Sequence, residues 1–60
     1  MNNNQKAINM LASKDIEAKE ENDTVYICID DVELELAEDE IIYQANCFDE
    51  YVAENGENPS

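Results

Sequence analysis

The chain has 60 residues, of which sixteen are acidic and three are lysine, with no arginine or histidine and a formal net charge of −13 at pH 7. A chain this short forms one small domain and buries only about 60% of the surface that its unfolded state exposes. It has little room for an enclosed catalytic pocket beside a core, and without histidine it lacks an imidazole base. We therefore expect no enzyme. Direct nucleic-acid binding is also excluded, because phosphate contacts need lysine or arginine.

The charge is unevenly distributed along the chain. The three lysines lie within the first nineteen residues, whereas residues 20–60 contain fourteen acidic side chains and no basic one. Blocks of like charge are typical of disordered tails, but apolar residues recur among these acids at the periods of strands and helices, which favours a folded domain. No secretory leader or membrane-length apolar run is visible. Two cysteines without a leader then favour free thiols in a reducing cytoplasm, with a disulfide between Cys28 and Cys47 left open as the alternative.

The first predicted element is a helix over residues 4–13. The asparagine run at its start offers N-cap oxygens. Ile8, Leu11 and Ala12 share one helical face. A brief apolar-polar alternation after this helix predicts a third strand over residues 16–19.

Residues 24–36 predict a β-hairpin. Residues 24–29 are β-branched or aromatic, apart from Cys28, and residues 32–36 alternate strictly between apolar and acidic. Asp30 and Asp31 form the turn between them. The apolar side chains of this hairpin share one face: Val25, Ile27, Ile29, Val32, Leu34 and Leu36. The opposite face carries Tyr26, Cys28, Glu33 and Glu35.

The last predicted element is a helix over residues 38–55. Its first turn is acidic, which complements the positive end of the helix dipole. Its apolar stripe consists of Ile41, Ala45, Phe48 and Val52. Gly56 suits the C-cap, and residues 57–60 are expected to form a flexible tail.

Together these elements predict an α+β fold in a single domain over residues 1–56. A small antiparallel sheet carries both helices on one face, which they bury. An unpaired sheet edge, or the face with Tyr26 and Cys28, leaves a homodimer open.

No cofactor or metal site is expected. The acids of the hairpin do not follow the spacing of a calcium-binding loop. Cys28 and Cys47 also lack the spacing of zinc ligands.

The candidate functional residues are carboxylates along the hairpin and the last helix, together with one tyrosine that is expected to be exposed. They are Asp30, Asp31, Glu33, Glu35, Glu38, Asp39, Glu40, Tyr43, Glu50 and Glu54. Rows of fixed negative charge are similar in kind to the phosphates of duplex DNA, which carries one charge per ≈ 1.7 Å. A basic nucleic-acid-binding protein can accept such rows in its Lys/Arg channel, with electrostatically steered association.

In size, acidity and lack of catalytic residues, the chain resembles the phage-encoded acidic inhibitors that mimic nucleic acid, including anti-CRISPR and anti-restriction proteins. The resemblance covers the composition of residues 20–60 and contains no matching motif. It implies an inhibitor that blocks the nucleic-acid site of a CRISPR-Cas effector or another host defence nuclease in the host cytoplasm.

Two other functions stay open. The first is an antitoxin or adaptor that binds a basic partner through an ordinary apolar interface, with Tyr43 or Tyr51 as anchors. The second is a housekeeping protein that is acidic for solubility and uses the face with Tyr26 and Cys28.

Overall fold

The computed structural model describes residues 2–56. Its elements in chain order are α1 (Asn3–Ser13), β1 (Glu17–Glu21), β2 (Thr24–Ile29), β3 (Val32–Glu35) and α2 (Glu38–Asn55). The strands form one antiparallel sheet in the order β1-β2-β3. The predicted α+β fold is confirmed. The tail predicted over residues 57–60 lies outside the described residues.

Two-residue turns set the position of the strands. Asn22 and Asp23 have φ values of 53° and 61°, and Asp30 and Asp31 have values of 50° and 64°. Paired positive φ values are the backbone of the tight hairpin turns whose twist matches that of the flanking strands, and Asn and Asp tolerate them better than most residues. The first turn places β1 at Glu17–Glu21, so the strand predicted over 16–19 is displaced toward the turn.

The core lies where α1 is enclosed between the sheet and α2. Ala7, Val25 and Ile41 form its centre, with exposed fractions of 0%, 0% and 8%. The small side chain of Ala7 lets the backbone of α1 come close to both neighbours. The predicted stripe of α2 is buried at Ile41, Ala45 and Phe48, as expected, and Val52 is half-buried.

The buried face of α1 differs from the predicted one. Ala7, Met10 and Leu11 are buried, whereas Ile8 is half-buried and Ala12 is exposed. The predicted face is thus wrong at Ala12. The physical reason is that α1 contacts α2 on one side and the sheet on the other, so its buried surface is centred on Ala7.

The apolar face of the hairpin is only partly covered. Ile27 lies opposite Leu34, and Ile29 lies opposite Val32, so these side chains share one side of the sheet as predicted. However, Ile29, Val32 and Leu34 are 47%, 53% and 47% exposed. The prediction that both helices bury this face is therefore wrong near the turn. Helix α1 contacts mainly β1, and α2 packs on α1 and leaves β3 uncovered.

Candidate functional site

The hairpin carboxylates are Asp30, Asp31, Glu33 and Glu35. Asp30 and Asp31 occupy the turn, and both are exposed. Glu33 and Glu35 lie opposite Cys28 and Tyr26 in the ladder, so their side chains stand on the face away from the helices. The four acids therefore border β3 at its turn and along its outer face.

Lys19 partly neutralises this group. Its Nζ lies 3.0 Å from Oε2 of Glu33 and 3.8 Å from Oε2 of Glu21. The hydrogen bond to Glu33 and the charge of that carboxylate raise the pKa of Lys19. Sequence inspection missed the pair, because it depends on β1 pairing with β2 so that Lys19 lies opposite Tyr26 and diagonal to Glu33. The partners are about half exposed, so the pair adds little to stability.

Cys28 lies beneath these charges on the same face of the sheet. Burial raises the pKa of its thiol, and the nearby carboxylates of Glu17 and Glu33 raise it further. A raised pKa disfavours the nucleophilic thiolate. Cys28 and Cys47 are both free in the structure, and both are half-buried.

The acidic first turn of α2 is held by hydrogen bonds as well as by the helix dipole. The N-cap residue Ala37 offers no side-chain hydrogen bond, and Oδ1 of Asp39 accepts one from the backbone N–H of Glu40 at 3.0 Å. Oε2 of Glu40 accepts one from Nε2 of Gln44 at 2.8 Å. Negative charge at this end of a helix is stabilising.

Gln44 was not anticipated as a buried residue. It is 7% exposed, and its Oε1 accepts a hydrogen bond from Nζ of Lys14 at 3.2 Å. Together with its bond to Glu40, this satisfies a polar side chain within the buried stripe. Gln44 is three residues after Ile41 and one before Ala45. Its position in the helical repeat was therefore the signal that it lies on the buried face of α2.

The acidic helix face consists of Asp39, Tyr43, Asn46, Glu50 and Glu54, which helical spacing places on one side of α2. Tyr43 is 59% exposed, in keeping with its predicted position opposite the apolar stripe. Its contact with the Cys47 thiol raises the pKa of its phenol, and the carboxylates of Glu40 and Glu50 add to that effect. Tyr43 thus presents an aromatic ring within a field of negative charge.

The remaining lysine joins the two helices. Nζ of Lys6 on α1 lies 2.9 Å from Oδ1 of Asp49 on α2. Lys6, Lys14 and Lys19 are therefore all engaged with side chains of the same domain. Within residues 2–56, the lysines form ion pairs with Asp49, Glu21 and Glu33 and with no other acid.

The ten predicted residues do not converge on one pocket. Asp30, Asp31 and Glu33 border a groove beside the second turn. Glu35 and Glu38 border another groove, between the end of β3 and the N-terminal ends of both helices. Glu50 and Glu54 lie by a third, near the C-terminal end of α1. These acids are thus spread over separate parts of the surface.

Within residues 2–56, no three Cys, Asp or Glu side chains come together as ligands for an ion. The same residues include no helix with the length and apolar character that a membrane crossing requires.

Comparison of the chain with protein-family models, with curated proteins and with solved structures found no match.

Proposed function

We propose that the protein is an acidic inhibitor that binds a basic nucleic-acid-binding protein in the cytoplasm and blocks its nucleic-acid site by charge mimicry. The observation that carries this proposal is the exposed, uncompensated negative charge on a folded scaffold. Fifteen acids and three lysines fall within residues 2–56, and all three lysines are engaged inside the domain.

The density of charge is of the right order for a phosphate mimic. Residues 2–56 carry a formal net charge of −12 on a molecule whose longest dimension is 32 Å. This corresponds to about one charge per 3 Å, against roughly 1.7 Å for duplex DNA. The length of the acidic helix face matters too, because Asp39 and Glu54 at its two ends lie about 22 Å apart along the axis at 1.5 Å per residue. A basic channel can therefore engage the domain along most of its length.

Inhibition by such a domain needs no chemistry of its own. Complementary charge accelerates encounter with a basic groove, and the gain is strongly reduced by salt. Once the domain occupies the groove, nucleic acid is excluded by volume and by like charge. A nuclease or effector complex of a defence system is the kind of target that this action suits.

A second candidate function is favoured by the exposed apolar side chains. Ile29, Val32 and Leu34 form a patch on the uncovered part of the sheet, and Tyr43 is exposed on α2. An antitoxin or adaptor that binds a basic partner through an apolar interface would use such residues, and its affinity would depend weakly on salt.

Affinity capture with matched charge variants separates the two functions. The wild-type chain is immobilised, incubated with host lysate at low salt and eluted in a salt gradient, and the retained proteins are identified. The test variants are Glu50→Gln with Glu54→Gln, and Glu33→Gln with Glu35→Gln. A variant with Glu17→Gln and Glu21→Gln loses the same charge on β1 and is the control.

The proposal expects capture of a basic nucleic-acid-binding protein that duplex DNA or RNA displaces. It also expects elution at lower salt from at least one test variant than from the control. Equal elution from all three variants, or a captured protein that keeps its nucleic acid bound, contradicts charge mimicry. Retention that is insensitive to salt and lost with Leu34→Thr favours the apolar alternative.

A further inference from the structure

Within residues 2–56, no strand pairs with the outer edge of β3, so its backbone ladder is open on that side. β3 is bonded to β2 on one side, and all four of its residues are exposed. The backbone N–H of Leu36 donates to the carbonyl of Val25 at 2.8 Å. Alternate residues of an antiparallel strand bond to the same neighbour, so Val32 and Leu34 also face β2. The backbone N–H and C=O groups of Glu33 and Glu35 therefore point out to the open edge.

The two faces of this edge differ in chemistry. On the side of the helices, Val32 and Leu34 are 53% and 47% exposed and continue into Ile29 on β2. On the other side stand the carboxylates of Glu33 and Glu35. A strand added beside β3 would meet a row of apolar side chains on one face and a row of acids on the other.

The other edge of the sheet lacks this combination. β1 has the sequence Glu-Ala-Lys-Glu-Glu and no large apolar side chain. The carboxylate of Glu20, on the helix-facing side of β1, accepts hydrogen bonds from Asn4 and Gln5 on α1. β1 is thus tied to the first helix, and β3 is the edge that is open on both faces.

Charge decides which strand can occupy the edge. A second copy would pair its own β3 antiparallel across a two-fold axis. Cross-strand partners lie on the same face, so every register that keeps the apolar rows together places Glu33 or Glu35 opposite a glutamate of the other copy. Like charges directly opposite one another are destabilising, and each copy carries a net charge of −13.

We propose that β3 is a strand-addition site for an extended segment of a partner protein in which apolar residues alternate with lysine or arginine. The basic side chains lie opposite Glu33 and Glu35, and the apolar ones lie against Val32 and Leu34. Backbone hydrogen bonds supply affinity and the alternating pattern supplies specificity. The inference deepens the proposed function and rests on it in one respect, that the partner is basic.

The two glutamates contribute unequally. Oε2 of Glu33 already binds Lys19. Within residues 2–56, no lysine forms an ion pair with Glu35. An incoming cation therefore gains more at Glu35 than at Glu33, where Lys19 competes.

The test uses a capped synthetic peptide in which four lysines alternate with three valines, titrated into the ¹⁵N-labelled full chain at 0.15 M salt. Opposite Glu33 and Glu35, the backbone N–H groups of the peptide lysines point at β3, and those of the valines point away. One control peptide is N-methylated on its two central lysines, and its matched counterpart is N-methylated on two valines. A block peptide of identical composition tests the alternation.

The expected result is binding by the alternating and the valine-methylated peptides, with amide shift changes centred on Glu33 and Glu35. Loss of two hydrogen bonds should weaken the lysine-methylated peptide by about tenfold or more. The block peptide should also bind more weakly than the alternating one. Among protein variants, Leu34→Thr and Glu35→Gln should weaken binding several-fold, and Glu33→Gln should weaken it less. As a control, Asp49→Asn removes one charge from α2, outside the sheet, and should change little.

The proposal would be overturned if the two methylated peptides bound with equal affinity, or if the block peptide bound as tightly as the alternating one. Either result would mean that binding is electrostatic attraction without a backbone ladder. Dimerisation of the chain through β3 in place of peptide binding would also overturn it. The proposed function fails on different grounds: the identity of the captured partner and its displacement by nucleic acid. The peptide titration measures neither of these, so the two kinds of failure can be told apart.

Discussion

The helices cover only part of the apolar face of the hairpin. The same substitution, valine to alanine, should therefore lower the free energy of unfolding by different amounts at two positions on that face. Val25 is fully buried against Ala7 and Ile41, whereas Val32 is 53% exposed. Val25→Ala removes two methyl groups, each worth about 0.8 kcal/mol of transfer free energy, and leaves a cavity that adds roughly 1 kcal/mol. Val32→Ala loses about half of the transfer term and leaves no cavity. The lower strand propensity of alanine affects both variants and largely cancels in their difference.

The free energy of unfolding should therefore fall by about 2–3 kcal/mol for Val25→Ala and by about 1 kcal/mol or less for Val32→Ala. Urea denaturation followed by circular dichroism measures both, and equal slopes would show that the unfolded states are comparable. A 60-residue domain has only a few kcal/mol in total, so Val25→Ala should be close to unfolded at 25 °C. Equal losses at the two positions would refute the uneven cover and, with it, the open edge at β3.

Three further predictions concern stability. Asp31→Gly should stabilise the fold by about 0.5–1 kcal/mol and Asp31→Ala should destabilise it, because φ at this residue is 64°; urea midpoints in the reverse order would contradict the turn geometry. Raised pKa values at Cys28 and Tyr43 mean that the unfolded chain loses these protons first, so the melting temperature should fall as pH rises from about 9, the ordinary thiol value. The pKa of Lys19 is raised too, so the stabilising contribution of its pair with Glu33 is lost as the pH rises through the pKa of Lys19 in the folded protein. A melting temperature that stays constant to pH 11 would argue against these pKa shifts. Sodium chloride at 0.5 M should raise the melting temperature at pH 7, because it screens repulsion among the acids of a −13 chain, and an unchanged value would show that this repulsion is already relieved.

The elements of the fold were predictable because local patterns specify them. The apolar-acidic alternation of β3 and the spacing of Ile41, Ala45 and Phe48 on α2 each fit a single periodicity. The difference between β1 as predicted, over residues 16–19, and β1 as observed has a local cause that apolar periodicity does not predict. The conformation of the Asn22–Asp23 turn, with both φ values positive, brings Glu21 opposite Thr24.

What escaped sequence reasoning depends on tertiary packing. Alternation places Val32 and Leu34 on the same face as Val25, but whether a helix covers them depends on where α1 and α2 lie over the sheet. The same limit applies to the Lys19–Glu33 pair, which spans two strand pairings. Among the candidate residues, the exposure of Tyr43 followed from helical spacing. The distribution of the acids over three grooves did not, because it reflects the arrangement of whole elements.

The most direct test of charge mimicry is a competition measurement on the captured partner. Labelled nucleic acid is bound to that partner at low salt, and its release on addition of the chain is followed by fluorescence anisotropy. The account predicts stoichiometric release by the wild-type chain and weaker release by the acid-to-amide double variant that elutes at lower salt. A stable ternary complex in which the nucleic acid stays bound would contradict the account.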